Sequence, residues 1–343
     1  MIRIVNKLIE ELSNRRFIIV SGKGGVGKTT FSAALGIKLA EIGMKVLVVS
    51  LDPAHSLGDA YGIKIGSSVK KLDKNLYALE FNPIQLFAAE KEALIKAIRE
   101  ESSEAPMGIP IDEEAIELLL DAQLPYEFAE GLGFIKLFYH LMTVADYDSI
   151  IFDTAPTGHT VELLKLPEIL ESFYVRLIKF RLRISKVFSK IKKLFGFGYD
   201  DRADMALRLL EETKEQITNV RKVLTDESKT EFVVVMIPNE MSILESARLI
   251  EQLAIHEIPN NNIIVNFVRI YGGDCPFCVL MSKYHNKQLG KIRKEFSDKK
   301  LWVIPYFSEE IRGIKVLKKV SEVIGELDIE KALRMISEGT TIE

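Results

Sequence analysis

The segment Ser21–Thr30, with the sequence SGKGGVGKTT, combines glycines, lysines and hydroxyl side chains in a spacing that suits phosphate binding. Glycines let backbone N–H groups approach a polyphosphate closely, and the helix N-terminus that follows adds the positive end of its dipole. Lys28 would contact the β- and γ-phosphates, and Thr29 would give a hydroxyl ligand to Mg²⁺. The spacing predicts a nucleoside triphosphate site formed by Gly22, Lys23, Gly24, Gly25, Val26, Gly27, Lys28, Thr29 and Thr30.

Lys23 is unusual, because most phosphate loops carry no charge at this second position. A lysine there marks the deviant Walker A class of P-loop proteins. In that class it typically reaches the nucleotide of a partner subunit and acts like an arginine finger supplied in trans. A solvated loop lysine is the alternative interpretation. The residue therefore favours two identical chains around two nucleotides.

Two acidic residues follow apolar runs elsewhere in the chain. Asp52 comes directly after Lys45–Leu51, and Asp153 ends the run Ser149–Asp153. At the carboxyl end of a parallel strand, Asp52 is suited to orient or deprotonate the water that attacks the γ-phosphate, with helix capping as the alternative. Asp153 fits a Walker B carboxylate, which holds Mg²⁺ through a water.

The elements that would position these residues are continuous apolar runs, which are typical of buried parallel strands. The runs are Phe17–Val20, Lys45–Leu51, Leu76–Phe81, Ser149–Asp153, Glu231–Ile237, Asn262–Val268 and Leu301–Tyr306. Helical patterns separate them. The sequence predicts an α/β P-loop NTPase fold, with a mostly parallel, doubly wound sheet in a single domain over residues 1–343.

Two intervals are too long to be ordinary connections, at about 83–146 and 167–230, and both are rich in helix formers. The second carries an apolar stripe at three- and four-residue steps, which includes Leu177, Phe180, Ile184, Val187, Phe188 and Ile191. The first contains an apolar stretch with Leu132 and Phe134. Both intervals are predicted to be helical inserts. Ordinary packing onto the core is the alternative role for their apolar faces.

Composition narrows the class of protein further. The 343 residues are 47% hydrophobic and carry a net charge of −3, which argues against a nucleic-acid surface over the whole protein. Met1–Asn14 has the pattern of a short amphipathic helix rather than of a signal peptide, and no apolar run is long enough to span a bilayer. We therefore expect a soluble, cytoplasmic protein.

The chain has two cysteines, Cys275 and Cys278. This number excludes a disulfide framework and suggests a metal or redox pair.

Four motifs in order, GKGGVGKTT, DPAHS, DTAPTGHT and CPFC, strongly resemble the Get/TRC ATPase that targets tail-anchored membrane proteins and its relative, the arsenite-pump ATPase. The resemblance covers nearly the whole chain. It implies that Lys23 acts in trans, that Asp52 is the catalytic aspartate of a first switch, and that Asp153 opens a second switch.

The same resemblance implies how the adenine is bound. Asn239 and Asn266 are similar in position to base-binding residues of the family, and an asparagine offers the donor and acceptor that an adenine edge requires. The segment 305–313, with Pro305 and Phe307, resembles the loop that packs beside the adenine.

In the targeting family, the counterparts of Cys275 and Cys278 join those of a second chain to hold one zinc ion. Structural zinc prefers four ligands and one chain offers two thiols, which agrees with a shared site. A redox dithiol and a single-chain site that includes His285 remain alternatives.

The resemblance implies a function for the inserts as well. In the family, inserts from both subunits of a homodimer form an apolar groove when ATP closes the dimer, and the groove accepts the transmembrane segment of a client for delivery to a membrane receptor. The arsenite-pump ATPase is the second hypothesis, although such pumps typically have two fused halves and more cysteines. A zinc-stabilised holdase without functional nucleotide chemistry is the third, and no nucleic acid partner is expected.

Overall fold

The computed structural model describes residues 6–52, 56–82, 86, 126–154, 200–270 and 275–339. Strands β1 to β8 span Phe17–Ser21, Val46–Ser50, Lys70–Asp73, Leu76–Glu80, Ser149–Asp153, Thr230–Met236, Asn262–Val268 and Lys300–Pro305. Helices α1 to α9 span Lys7–Ser13, Lys28–Glu41, Ser56–Tyr61, Tyr126–Thr143, Asp200–Leu224, Glu240–Ile255, Pro276–Glu295, Ile314–Val323 and Ile329–Glu338. The predicted groove residues Leu177, Phe180, Ile184, Val187, Phe188 and Ile191 lie outside the described residues.

Within the described residues, the strands form one eight-stranded sheet in the order β3-β4-β2-β5-β1-β6-β7-β8. Only β3 runs antiparallel to its neighbour, β4, and the other neighbouring pairs are parallel. The carboxyl ends of parallel strands meet at one edge, where open α/β sheets bind ligands. The register pairs Val20 of β1 with Asp153 of β5, so the residues after these strands emerge side by side. The predicted α/β fold with a mostly parallel sheet is confirmed.

The strands that support this edge are buried along their whole length. Every residue of β1, β2, β5 and β6 is buried, so the side chains on both faces of these strands are covered. Helix α2 adds Phe31, Ala34 and Leu35 to the same apolar core. Burial of a side chain such as Phe31 or Leu35 stabilises the fold by about 1.5–3 kcal/mol. The loop between β1 and α2 therefore starts and ends on firmly packed elements.

The described residues fall into two compact units. The first lies within Met1–Asn82, Asp146–Val161 and Val223–Glu343 and contains the sheet. The second lies within Pro83–Ala145 and Glu162–Lys222 and contains α4 and most of α5.

In the second unit, Phe134 and Phe138 of α4 are buried with their rings 5.6 Å apart, whereas the side chain of Leu132 lies outside the described part. The client-binding role of both inserts stays a prediction. None of the described helices combines the length and the apolarity that crossing a bilayer requires.

Strand β3 and the start of α1 differ from the sequence pattern. The KKLD segment of β3 is mostly exposed and highly charged, so it shows no apolar run although it pairs with β4.

Helix α1 begins at Lys7, directly after Asn6, whose side chain accepts a hydrogen bond from the N–H of Ile9. This capping contact satisfies one of the free N–H groups of the first turn.

Candidate nucleotide-binding site

The phosphate loop, Ser21–Thr30, connects β1 to α2 and needs glycine at two tightly packed positions. Gly22 has φ +150° and Gly27 has φ +91°, both in a region that disfavours other residues. A Cβ atom on Gly22 would lie 2.1 Å from the carbonyl oxygen of Val235, and one on Gly27 would lie 2.3 Å from Nδ2 of Asn266. Strands β6 and β7 therefore fix the path of the loop, and any side chain at these positions would displace it.

Lys28 is the first residue of α2, and its ammonium group lies inside the loop. The residue is 6% exposed, and Nζ donates a hydrogen bond to the carbonyl oxygen of Lys23, 3.1 Å away. Burial lowers the pKa of Lys28, while the charges of Asp153 and Asp52 oppose this shift. A buried cation at a helix N-terminus, partly compensated by two acids, can recover its desolvation cost by binding phosphate oxygens.

Asp153 is the centre of a cluster of hard oxygen ligands. Its Oδ2 accepts a hydrogen bond of 2.7 Å from Oγ1 of Thr29, and its Oδ1 accepts one of 3.3 Å from Oγ of Ser32. The hydroxyl of Ser56 lies 3.1 Å from that of Thr29. Burial raises the pKa of Asp153 to about 7, although the hydrogen bond from Thr29 and the charge of Lys28 oppose the shift. These carboxylate and hydroxyl oxygens suit Mg²⁺.

The structure brings together the predicted Thr29 and Asp153, and it adds two hydroxyls that the sequence pattern did not indicate. Ser32 lies one helical turn after Thr29, and Ser56 begins α3. Neither belongs to a recognised phosphate-loop position. The available sequence signal for Ser56 is its place in the DPAHS motif, four residues after Asp52.

Asp52 lies just beyond the carboxyl end of β2 and is partly buried. Its backbone N–H donates to Oγ of Ser50 at 3.3 Å. Its charge opposes the lowering of the Lys28 pKa and adds to the raising of the Asp153 pKa, so Asp52 interacts electrostatically with both residues. Residues 53–55 lie outside the described part. The catalytic role of Asp52 stays a prediction.

Lys23 and Lys28 have different environments. The Nζ atom of Lys23 lies 2.7 Å from Oε1 of Glu245 on α6, and the two side chains are 36% and 29% exposed. Lys23 thus forms an ion pair within its own chain, whereas Lys28 is buried in the loop. Lys23 and Glu245 are 222 positions apart in the sequence, so no sequence motif reveals this pair.

The two asparagines predicted to bind a base both make contacts within the fold. Asn266 is 4% exposed, and its Nδ2 donates to the carbonyl oxygen of Val26 in the phosphate loop at 2.9 Å. Asn239 caps α6, because its Oδ1 accepts a hydrogen bond of 2.8 Å from the N–H of Ser242. Base contacts from these residues stay predictions. Asn266 in addition holds the loop against β7.

The segment after β8 lies beside the end of β7. The N–H of Tyr306 donates to the carbonyl oxygen of Val268 at 2.9 Å, and Phe307 packs partly buried against the apolar core. Pro305 ends β8. The predicted adenine loop therefore starts next to the strand that carries Asn266.

Cys275 and Cys278 lie at the N-terminus of α7, where Cys275 is the N-cap. Cys278 lies in the first turn of the same helix, and a hydrogen bond from the backbone of Cys278 is the largest cause of a lowered pKa at Cys275. Adjacent soft donors fit half of a tetrahedral zinc site. Among the described residues, no group of three or more histidine, cysteine, aspartate or glutamate side chains is placed to hold a metal.

The alternative zinc site that includes His285 is disfavoured by the environment of the imidazole. Its Nδ1 accepts a hydrogen bond of 2.9 Å from the backbone N–H of Arg269, so the proton of the neutral ring is on Nε2. Burial lowers the pKa of His285. The ring therefore has its one unprotonated nitrogen already engaged.

Comparison with known proteins agrees with this geometry. Residues 15–326 match the family described as anion-transporting ATPase. The chain is 33% identical over 330 residues to ATPase ASNA1 homolog 2 of Paramecium tetraurelia, covering 93% of this chain and 96% of the relative. It is 33% identical over 325 residues to ATPase GET3C of Arabidopsis thaliana, covering 91% and 83% of the two chains. Over 323 residues it is 31% identical to ATPase get3 of Schizosaccharomyces pombe, covering 93% and 94%.

The family match covers most of the chain, including the phosphate loop, Asp52, Asp153 and both asparagines. The resemblance inferred from the four motifs is thus confirmed, and so is the predicted ATPase activity. This chain belongs to the anion-transporting ATPase family and is an ATPase related to the GET3 and ASNA1 proteins.

Proposed function

We propose that this ATPase works as a homodimeric targeting factor, which binds transmembrane segments of tail-anchored client proteins and delivers them to a membrane receptor. The observation that carries the proposal is the different use of the two loop lysines. Lys28 is buried within its own loop, whereas Lys23 is partly exposed and paired with Glu245 on α6. Release from Glu245 would let Lys23 reach a nucleotide on a second subunit.

The residues of one chain suit most steps of ATP hydrolysis. Loop N–H groups and Lys28 hold the β- and γ-phosphates, and Asp52 orients the attacking water. Thr29 and Asp153, supported by Ser56, would hold Mg²⁺. Bound there, the metal ion would supply positive charge that offsets the charge on the phosphate oxygens.

One charge would then come from the partner. After release from Glu245, Lys23 of each subunit would offset the negative charge that the phosphate oxygens carry in the transition state of the other subunit's site. In other P-loop enzymes a cation supplied in this way accelerates hydrolysis by about 10³- to 10⁵-fold. Hydrolysis thereby becomes coupled to dimer closure, since an isolated chain lacks that cation.

We further propose that Cys275 and Cys278 form half of a structural zinc site, completed by the same pair of a second chain. The position of both cysteines at the start of α7 and the engagement of His285 support this ligand set. Zinc would keep two chains together while their nucleotide sites open and close.

The client site is assigned to the two inserts. An apolar groove can bury a client helix with about 0.8 kcal/mol per CH₂ group and without a fixed client sequence. The repeated apolar positions from Leu177 to Ile191 have the helical spacing that such a groove needs. ATP-driven closure would assemble the groove, and hydrolysis would open it for transfer to the receptor. The same proposal places the protein in the cytoplasm.

A labelled transmembrane-segment peptide tests this function. We expect it to bind this protein with ATP and Mg²⁺ and to bind at least about tenfold more weakly without nucleotide, as a population shift of modest size would give. A scrambled peptide with interspersed lysines should not bind in either state. Equal binding with and without ATP, or no binding at all, would contradict the proposal.

Two controls separate the alternatives. Arsenite should leave the ATPase rate unchanged, whereas stimulation by arsenite would support a pump subunit. An Asp52→Asn variant should bind the peptide with ATP but release it slowly. If the ATPase rate and peptide release were both unaltered in this variant, a holdase without functional nucleotide chemistry would be favoured.

A further inference from the structure

Four consecutive residues at the end of β7 contact three parts of the molecule that are far apart in the sequence. Asn266 binds the carbonyl oxygen of Val26 in the phosphate loop. The carbonyl oxygen of Val268 accepts the N–H of Tyr306, and the N–H of Arg269 donates to His285 on α7. This short segment is thus joined to the phosphate loop, to the loop after β8 and to the helix that begins with the cysteine pair.

The side chains of the same segment form a continuous path. A Cβ atom on Gly27 would lie 3.3 Å from Cζ of Phe267, so the aromatic ring packs against the phosphate loop. The ring centroids of Phe267 and Tyr306 are 6.0 Å apart. The guanidinium carbon of Arg269 lies 4.7 Å from the centroid of Tyr306, and its Nη1 donates to Sγ of Cys278 at 3.3 Å.

The backbone of Phe267 is held in an unfavourable conformation. Its φ of +57° lies in the left-handed region, which an aromatic residue rarely adopts, and the strand register shifts between Val265 and Val268. Such strain persists where surrounding contacts determine the conformation, and it is concentrated at functional sites. Here it turns the Phe267 ring toward both Gly27 and Tyr306.

We propose that Arg269 is a positioning residue that links the cysteine pair to the base-binding loop, so that the contact made by Cys278 sets the affinity for nucleotide. Arg269 holds the Tyr306 ring by a cation–π contact, and the sulfur of Cys278 holds the guanidinium in that place. This inference rests on the proposed function only in taking the segment after β8 as the loop that meets the base.

The link has a consequence in both directions. If the Arg269 guanidinium were released from Cys278, the Tyr306 ring would be less constrained. The loop after β8 would then have to become ordered when nucleotide binds, which would lower the affinity for nucleotide. Because coupling between sites is reciprocal, nucleotide binding would in turn favour the conformation in which Arg269 and Cys278 are in contact. The expected effect is about two- to fivefold in affinity, the size of one partly exposed cation–π contact.

A double-mutant cycle on the full chain, reduced and treated with a chelator, tests the link directly. The probe is a ribose-labelled fluorescent ATP analogue, and the variants are Arg269→Gln, Cys278→Ala and the two combined. We expect each single substitution to weaken binding about two- to fivefold and the double substitution to be no weaker than the single ones. Multiplying effects in the double variant, or no effect of Arg269→Gln, would overturn the proposal.

Three comparisons separate positioning from a general loss of structure. Arg248→Gln, at an exposed arginine of α6, should bind the analogue like wild type. Inorganic tripolyphosphate, which has no base, should bind wild type and Arg269→Gln equally, because Lys28 and the loop N–H groups hold the phosphates. The Arg269→Gln substitution should raise KM with kcat unchanged. Equally weakened binding of tripolyphosphate, or a lower kcat alone, would contradict the assigned role.

The peptide-binding assay is a separate readout, so failure of the targeting proposal would be recognised independently.

Discussion

The ion pair between Lys23 and Glu245 gives a quantitative prediction about dimer closure. The Nζ and Oε1 atoms lie 2.7 Å apart and the side chains are 36% and 29% exposed, so the pair stabilises the conformation in which Lys23 contacts Glu245 by about 0.2–1 kcal/mol. Glu245→Gln removes the charge that holds Lys23 and retains the size of the side chain. If Lys23 must leave Glu245 to reach the partner's nucleotide, the substitution should favour the engaged state by the same free energy, or about 1.4- to 5-fold per site.

The assay is steady-state ATP hydrolysis in a zinc chelator, which removes the proposed bridge between the chains, measured over a range of protein concentrations. Glu245→Gln should lower the protein concentration that gives half of the maximal specific activity, because less free energy is lost on engagement. Glu251→Gln, at an exposed glutamate of the same helix, is the matched control and should behave like wild type. In a Lys23→Ala background, Glu245→Gln should have no effect. A lower specific activity in Glu245→Gln, or the same shift without Lys23, would refute the reasoning.

Three further predictions concern the residues around the sheet edge. Gly22→Ala should abolish binding of the labelled ATP analogue and lower the free energy of unfolding in denaturant titrations, since its Cβ would lie 2.1 Å from the carbonyl oxygen of Val235. Because the folded-state pKa of Asp153 is raised from 3.8 to about 7, the folded chain binds the proton more tightly than the unfolded chain. In chelator, the free energy of unfolding should therefore fall as pH rises from about 4 to 7, and Asp153→Asn should remove this part of the pH dependence. Glu231 is buried and accepts hydrogen bonds from the backbone and side chain of Asn262, so Glu231→Gln should cost about 1–3 kcal/mol of unfolding free energy while KM for ATP stays unchanged.

The parallel strands could be predicted from the sequence because a strand covered on both faces is a continuous apolar run. β5 and β7 have the predicted bounds, Ser149–Asp153 and Asn262–Val268. β3 could not be predicted in this way, because its four residues are charged or half-exposed and its stability comes from pairing with β4. A short edge strand of this kind is identified by its neighbour rather than by its own side chains.

The residues of the nucleotide site also differ in whether the sequence alone could predict their contacts. The pairing of Thr29 with Asp153 follows from two local motifs, each placed at the end of a strand. Glu245 and Arg269 are different, because their partners are distant in sequence and a single charged side chain on a helix or strand end has no distinctive pattern. The family resemblance predicts a base contact for Asn266, and the structure adds its contact with Val26, which only the packing of β7 beside the loop reveals.

The central claim, that Lys23 acts on the nucleotide of a second subunit, can be measured with mixed dimers. Lys23→Ala and Asp52→Asn chains should each be nearly inactive alone, because one cannot donate the cation and the other cannot activate water. In an equimolar mixture whose subunits exchange in chelator before zinc is restored, about half of the dimers combine the two chains, and each has one complete site, so about a quarter of the wild-type ATPase rate should return. A mixture as inactive as its components, or full activity of either variant alone, would contradict the account.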